Sequence, residues 1–296
     1  AAGLYQVIGQ EIDDKYIAQV KAQVVNQKAI DEMQDQITSV YTPLHGTGNI
    51  PARRVMKEIG FTHVYVVPEQ ELPNGDFPTV SYPNPEAKEA FELGLKLAKE
   101  KDADLVLATD PDADRLGVYV KDTKSGEYIP LTGNMSGSLL CEYVLSQKQA
   151  AGKIPADGQV VKSIVSTNLI DAVAKSYGAE LIEVLTGFKW IGKQILKNET
   201  TGHGTYLFGM EESYGCLIGT YARDKDAISA TAALCEAAAY YKQKGMTLWD
   251  AMIAMYEKYG YYKDAVKAIG LSGIEGLAKI QSIMETLRNN TPTEVG

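Results

Sequence analysis

Apolar residues in the first part of the chain form short continuous runs, separated by longer stretches with helical spacing. The predicted elements are, in order, a helix over about 12–35, the strand "ITSVYTPL", the helix "IPARRVMKEIG", the strand "HVYVV", a helix over 86–101, the strand "DLVLA" and the hairpin "RLGVYVKDTKSGEYIPL". Strands that alternate with helices of this length are typical of β-α-β units, in which helices cover a sheet of parallel strands. The pattern therefore predicts a first domain over 1–131.

The same alternation starts again after residue 131. The predicted elements are the helix "NMSGSLLCEYVLSQKQ", the strand "QVVKSIV", the helix "NLIDAVAKSYG", the strand "AELIEVL", the strand "GTYLFG" and a long Ala-rich helix. The predicted fold class is α/β, with two successive three-layer α/β/α domains that contain mostly parallel mixed sheets, over 1–131 and 132–296. Near the C-terminus, 261–270 is a possible strand, and Ser272 and Glu275 have the spacing of a capping box.

The composition is that of a globular protein and argues against nucleic-acid and membrane partners. The 296 residues carry a formal charge of −9, and 45% of them are hydrophobic, as in a folded globular protein. The acidic balance argues against a nucleic-acid partner. No apolar run reaches the roughly 20 residues that span a bilayer, and the N-terminus lacks a signal-peptide pattern, so no membrane partner is expected. Three widely spaced cysteines among apolar neighbours favour reduced thiols and a cytoplasmic location.

Three aspartates, Asp110, Asp112 and Asp114, occupy alternate positions directly after the predicted strand "DLVLA". In an extended or tightly turning backbone these positions project to one side, so the carboxylates can face a common point. Their oxygens are hard ligands, and the loop departs from an EF-hand because Arg115 and Lys121 replace the required glycine and glutamate. The spacing favours a Mg²⁺ site with Arg115 nearby, and a solvated acidic turn is the alternative.

The segment "TGFKWIGKQ" lies between a predicted strand and a helix. It nearly matches a P-loop, but Gln194 stands where the motif needs Ser or Thr. Lys189 would be presented at a helix N-terminus, where it could contact an anion. A surface lysine beside core aromatic residues is the alternative.

Two further loops carry polar or basic residues. In "HGTGN", the glycines are expected to allow a tight turn in which His45 or backbone N–H groups approach a phosphate; the match to a dinucleotide fingerprint is partial. In "GMEESYG", Glu211 and Ser213 could bind vicinal sugar hydroxyls, or form an acidic surface turn. Arg223 and Lys225 in "ARDKD" begin a helix, which favours either a bound anion or ion pairing with neighbouring aspartates.

In chain order these four loops are "YTPLHGTGN", "ATDPDADRLGV", "TGFKWIG" and "GMEESYG" followed by "RDKD". Together they resemble the α-D-phosphohexomutase family and most closely its bacterial phosphoglucomutase branch. The resemblance implies a four-domain enzyme that moves a phosphoryl group between C1 and C6 of a hexose through a hexose 1,6-bisphosphate. It implies Mg²⁺ on Asp110, Asp112 and Asp114 against a phosphoserine, with Arg115 in the same site and Lys189 contacting substrate. It also implies roles for two further pairs: Glu211 and Ser213 would bind sugar hydroxyls, and Arg223 and Lys225 would lie near a phosphate.

The family's phosphoserine motif, of the Ser-His-Asn-Pro type, and its Arg-x-Ser-Gly-Thr phosphate loop have no match in this sequence. We therefore expect the second and third domains only, with the first and fourth domains missing and no turnover by the chain alone. Phosphopentomutase and phosphomannomutase activities are alternatives within the family. A non-catalytic sugar-phosphate-binding module and a P-loop-like NTPase are alternatives of another class.

Overall fold

The computed structural model describes residues 3–265 and 270–294. By their contacts the residues divide into two compact units, Ala1–Tyr262 and Lys263–Gly296. The first unit contains both sheets. Among its described residues, 263–265 and 270–294, the second contains one helix, α10 (Gly273–Asn289).

The first sheet has five strands in the order β2-β1-β3-β4-β5. The strands are β1 (Ser39–Thr42), β2 (Val64–Val66), β3 (Leu105–Thr109), β4 (Leu116–Lys121) and β5 (Tyr128–Leu131). β1 pairs in parallel with β2 and β3, whereas β4 is antiparallel to β3 and β5. The helices of this part are α1 (Gly9–Lys21), α2 (Gln27–Met33), α3 (Asn49–Ile59) and α4 (Glu92–Lys101).

The second sheet has four strands in the order β7-β6-β8-β9. The strands are β6 (Gly158–Ser163), β7 (Glu180–Val184), β8 (Thr205–Met210) and β9 (Cys216–Leu217). β6 pairs in parallel with β7 and β8, and β9 is antiparallel to β8. The helices are α5 (Gly133–Ala150), α6 (Leu169–Ser176), α7 (Lys189–Thr201), α8 (Ala227–Gln243) and α9 (Leu248–Tyr259). The predicted α/β class with two mixed sheets is confirmed; the second sheet is mostly parallel, whereas the first has two parallel and two antiparallel pairings.

The Ala-rich helix α8 is buried along most of its length and packs against α2, α3 and α5. Small side chains such as Ala233 and Ala237 allow these helices to approach closely. One hydrophobic cluster therefore extends from Val55 in α3 through Leu234 in α8 to Phe208 in β8. This shared core explains why both sheets belong to one compact unit.

The structure corrects the helix predicted over 12–35, which is two helices, α1 and α2. Glu236 in α8 accepts hydrogen bonds from the backbone N–H groups of Val25 and Asn26, and the Asn26 side chain accepts one from the N–H of Ala29. These bonds satisfy backbone donors outside a helix and cap α2, so the chain breaks there.

Two predictions near the C-terminus also change. Ser272 precedes α10 but makes no capping hydrogen bond through its side chain, so the capping box predicted there is wrong. A reciprocal capping box is found instead at Thr247 and Asp250, where α9 begins. Residues 266–269 of the possible strand over 261–270 lie outside the described residues, and the rest of that segment is not in a strand. Within 3–265 and 270–294, no helix has both the length and the apolar character needed to cross a bilayer.

Candidate functional site

The loop after β3 brings three carboxylates together. The Oδ1 atom of Asp110 accepts hydrogen bonds from the backbone N–H groups of Asp114 (3.1 Å) and Arg115 (2.9 Å), which closes the turn. Ala113 adopts a left-handed conformation with φ of 59°. One oxygen each of Asp110, Asp112 and Asp114 lies within 4.8 Å of the other two. The donor set and its spacing fit a shared divalent cation with hard oxygen ligands.

This loop concentrates negative charge. Burial is the main reason that the pKa of Asp110 is raised to about 7; the N–H of Arg115 acts against the rise, and the charges of Asp114 and Asp112 add to it. The Nε atom of Arg115 lies 3.7 Å from oxygens of both Asp110 and Asp114. Its Nη1 atom donates to Glu86 at 3.3 Å. Arg115 therefore lies beside the three aspartates, as predicted. Its guanidinium group is shared among the carboxylates of Asp110, Asp114 and Glu86.

The "HGTGN" turn supports the loop after β3 through its backbone. This loop, residues 110–115, is called the metal loop below. A Cβ atom on Gly46 would lie 2.4 Å from Cα of Pro111, so only glycine allows this close approach. The N–H and Oγ1 of Thr47 both donate to the Pro111 carbonyl, at 2.8 and 3.0 Å. The left-handed residues of the turn are Leu44 and His45, not the glycines. The glycines thus serve packing against the metal loop.

His45 does not line the cleft described below. Its ring is 5% exposed, Nδ1 bonds with the Leu72 carbonyl at 3.2 Å, and Nε2 bonds with Thr79 Oγ1 at 2.9 Å. Both ring nitrogens therefore have partners in the 68–85 segment. The structure places His45 as an anchor of that segment, in contrast to the expected phosphate contact.

The loop after β8 carries Glu211 to Gly215. Glu211 is 6% exposed, and its Oε1 accepts the backbone N–H of Gly187 at 2.8 Å. Burial raises the pKa of Glu211. Glu212 Oε2 accepts the hydroxyl of Ser163 at 2.8 Å. Ser213 is half-buried between these acids and the end of the loop. The acidic residues of this loop thus bond to neighbouring loops.

The two loops are joined through their backbones. Arg115 and Gly215 form an isolated antiparallel bridge, and the N–H of Leu116 donates to the Tyr214 carbonyl at 3.0 Å. The predicted metal and sugar loops are therefore neighbours in space, although about 100 residues separate them in the sequence. Sequence spacing gave no signal for this pairing.

The two cations before α8 have different partners. Arg223 forms a forked ion pair with Glu199, at 2.7 and 2.6 Å. Lys225 Nζ lies 2.7 Å from Asp114 Oδ2 and 2.9 Å from Asp224 Oδ1. Burial alone would lower the pKa of Lys225, but these carboxylates outweigh it and raise the pKa. Of the two arrangements predicted for Arg223 and Lys225, a bound anion or ion pairing, the structure therefore shows ion pairing before α8.

Asp226 caps α8. Its Oδ1 accepts the N–H groups of Ile228 and Ser229, at 2.8 and 3.2 Å, and the hydroxyl of Tyr16 at 2.9 Å. A carboxylate at this position satisfies helix donors and offsets the helix dipole. The cap fixes the start of the helix directly after Lys225.

The "TGFK" segment contains one left-handed glycine, Gly187, and then enters α7 at Lys189. Gly192 lies inside this helix, where a Cβ atom would come 2.5 Å from the Arg223 carbonyl. A P-loop needs a non-helical backbone up to its lysine. The P-loop alternative is wrong, because the residues from Lys189 to Lys193 are helical.

A cleft of about 940 Å³ is lined by five of the ten predicted site residues, and Asp110, Arg115, His45, Glu211 and Ser213 are not among its lining residues. Its functional lining residues are Asp112, Asp114, Lys189, Lys193, Arg223 and Lys225. Lys189 and Lys193 are one helical turn apart on α7, and within the part of the chain that the structure describes neither forms an ion pair. The sequence analysis did not single out Lys193 as a candidate residue of this cleft, although its i+4 spacing from Lys189 was a usable signal.

Comparisons with known proteins identify the family of the chain. A family model described as phosphoglucomutase/phosphomannomutase, alpha/beta/alpha domain II, matches residues 14–126, and the corresponding domain III model matches 132–259. The chain belongs to the α-D-phosphohexomutase family. Its two sheets correspond to two consecutive domains of that family.

Relatives of this family show how much of a longer protein the chain matches. A Haemophilus influenzae protein named "Probable phosphomannomutase" is 38% identical over 98% of the chain and 55% of its own length. A Staphylococcus aureus phosphoglucomutase is 36% identical over 86% of the chain and 45% of its length. The solved Paramecium parafusin, a phosphoglucomutase, shares the fold with a TM-score of 0.64 at 20% identity, over 93% of the chain and 46% of its own. The chain spans about half the length of these family members.

Proposed function

We propose that this chain supplies the metal-binding and sugar-binding domains of a phosphoglucomutase, which interconverts glucose 1-phosphate and glucose 6-phosphate through glucose 1,6-bisphosphate. The cleft carries this proposal, because it combines aspartates of the metal loop with lysines of α7 and of the segment before α8. Phosphoryl transfer depends mainly on positioning and charge stabilisation, which a metal and cations supply. Domain limits of 1–131 and 132–296 belong to the same proposal, supported by the family matches on either side of residue 131.

Mg²⁺ is the proposed metal, because three carboxylate oxygens form a hard donor set. Asp110, Asp112 and Asp114 would hold it, and it would stabilise negative charge on the transferring phosphoryl group. Arg115 would add positive charge beside the same loop. The nucleophilic serine is proposed to lie in another domain of the same polypeptide. A reducing, cytoplasmic location fits the three free, buried cysteines.

Lys189 is the proposed cation for a substrate phosphate, with Lys193 beside it, because Arg223 is paired with Glu199. Lys225 also lines the cleft. Glu211 and Ser213 are the proposed contacts for sugar hydroxyls, supported by their place in a loop bonded to the metal loop. Mannose phosphates are an alternative substrate, since the 38% identical relative carries that name. Pentose phosphates are the other alternative within the family.

Calorimetric titration of the 296-residue chain with glucose 1-phosphate and Mg²⁺ tests the proposal. Loss of a charge-assisted hydrogen bond costs about 1.5–3 kcal/mol, so K189M should bind about tenfold more weakly or worse. K197M is the matched control, since Lys197 is exposed on the same helix and is not among the residues lining the cleft. The proposal fails if the wild-type chain does not bind sugar phosphates, or if K197M and K189M weaken binding equally.

Turnover is a separate test. The chain, incubated with glucose 1-phosphate, Mg²⁺ and glucose 1,6-bisphosphate, should form no glucose 6-phosphate above a no-protein control, because the nucleophile is absent from this sequence. Accumulation of glucose 6-phosphate would show that a residue of these two domains can carry the phosphoryl group. That result would overturn the assignment of the nucleophile to another domain.

A further inference from the structure

Lys225 lies between β9 and α8, and its side chain forms an ion pair with the metal loop of the first sheet. Its side chain is 12% exposed, and its Nζ atom lies 2.7 Å from Asp114 Oδ2. The other cation near this loop, Arg115, is 3.7 Å from its nearest aspartate oxygens. Lys225 is therefore the cation in closest contact with a predicted metal ligand.

The path of this side chain depends on Gly215. A Cβ atom on Gly215 would lie 2.0 Å from Cδ and 2.7 Å from Cγ of Lys225. Gly215 also pairs with Arg115 through the backbone, so its position relative to the metal loop is set. The absence of a side chain at 215 thus keeps open the route by which Lys225 reaches Asp114.

A metal ion and Lys225 compete electrostatically for the same carboxylate. The lysine partly neutralises Asp114, and a divalent cation on the triad would repel the ammonium group at short range. A bound cation would also withdraw negative charge from Asp114, which weakens its hold on Lys225. The ammonium group lines the cleft, where Asp224 is its second carboxylate partner at 2.9 Å and a substrate phosphate would be a further anion.

We propose that Lys225 is an internal counter-cation of the metal loop, which opposes metal binding at Asp114 and transfers to the substrate phosphate when the metal is bound. The inference rests on the proposed function and adds a coupling between two ligands. Metal binding strengthens sugar-phosphate binding, and the reverse effect has the same size, because coupling between two binding equilibria is reciprocal.

Mn²⁺ binding to the full chain, followed by electron paramagnetic resonance, tests the competition. K225M should bind Mn²⁺ more tightly, by up to about fivefold, since it removes the ammonium group that is paired with Asp114. G215A should act in the same direction, because it displaces the lysine. K225R restores the charge and should return the affinity towards wild type. K197M, at an exposed lysine of α7 that does not line the cleft, should not change it.

The coupling is measured by titrating glucose 1-phosphate with and without Mn²⁺. Mn²⁺ should strengthen binding to the wild type, and K225M should lose most of this gain, while K193M should keep it despite the same change in charge. Melting temperatures identify any variant that is unfolded, and K225R then serves as the second, folded test of the role of this charge. Unchanged or weaker Mn²⁺ binding by K225M overturns the inference. Failure of the wild type to bind Mn²⁺ overturns the proposed metal function, and this inference with it.

Discussion

The loops after β3 and after β8 occupy equivalent positions in two sheets of the same strand order, yet their acids are used differently. Each loop connects the third strand of its sheet to an antiparallel fourth strand. In the first, Asp110, Asp112 and Asp114 converge. In the second, Glu211 and Glu212 bond to the backbone of Gly187 and the hydroxyl of Ser163.

The loops that precede them explain this difference. In the first sheet, Thr47 follows β1 and donates to the Pro111 carbonyl, so its hydroxyl supports the backbone and leaves the carboxylates to backbone N–H groups and to the cations Arg115 and Lys225. In the second sheet, Ser163 ends β6 and donates to a carboxylate of Glu212. The two loops therefore differ in whether the neighbouring hydroxyl donates to the backbone of the loop or to one of its carboxylates.

Substituting one glycine beside each loop should give the largest effects. A Cβ atom at Gly133 would lie 2.1 Å from the Glu212 carbonyl oxygen, and one at Gly46 would lie 2.4 Å from Cα of Pro111. Each substitution must displace its loop and should lower the free energy of unfolding by about 3 kcal/mol. G46A should impair Mn²⁺ binding, and G133A should impair glucose 1-phosphate binding.

Denaturant titration and the two binding assays check this prediction. Gly75→Ala is the control, because a Cβ atom there would meet nothing within 4 Å. Equal loss of both ligands in both glycine variants would contradict separate support of the two loops. It would show that the loops behave as one rigid element.

Glu236 belongs to neither loop, and it shows the effect of burial on the pKa of an acidic side chain. Glu236 in α8 is fully buried, and its Oε1 accepts the N–H of Val25 at 3.0 Å and the hydroxyl of Tyr143 at 2.9 Å. Burial raises the pKa of Glu236 to about 7, against the opposing effect of these donors. The folded protein therefore holds a proton between about pH 4.5 and 7 that the unfolded chain has lost.

Stability should fall as the pH rises through that window, because the folded state binds more protons there. A shift from 4.5 to about 7 corresponds to about 3 kcal/mol. E236Q stays neutral, so its free energy of unfolding should exceed that of the wild type at pH 8 and approach it at pH 5. E100Q, at an exposed glutamate of α4, is the control. A wild-type profile that is flat from pH 5 to 8, measured by urea unfolding, would contradict the prediction.

Local patterns predicted the fold better than they predicted the site. The alternation of apolar runs and helices gave both sheets, and the spacing of Asp110, Asp112 and Asp114 gave their convergence, because each depends on residues close in sequence. The break between α1 and α2 was missed because Glu236, over 200 residues away, supplies the acceptor.

The role of the "HGTGN" glycines was missed for a similar reason. Glycine spacing indicates a tight turn, but only the tertiary structure shows that Gly46 faces Pro111. The partner of Glu212 is likewise a serine at the end of another strand. Contacts between loops from different strands have no local spacing, and these contacts distinguish the two acidic loops.

The smallest expected effect comes from removing one hydroxyl beside each loop. S163A removes the donor to the Glu212 side chain and should weaken glucose 1-phosphate binding by about 1 kcal/mol, or roughly fivefold, because a carboxylate loses a hydrogen bond. T47V keeps the backbone N–H that donates to Pro111 at 2.8 Å, so Mn²⁺ binding should change by less than about twofold. S163T, which retains a hydroxyl, should recover part of the lost affinity. If T47V harms metal binding as much as S163A harms sugar binding, then side-chain and backbone support are equivalent, and the contrast between the two loops must arise from their own sequences.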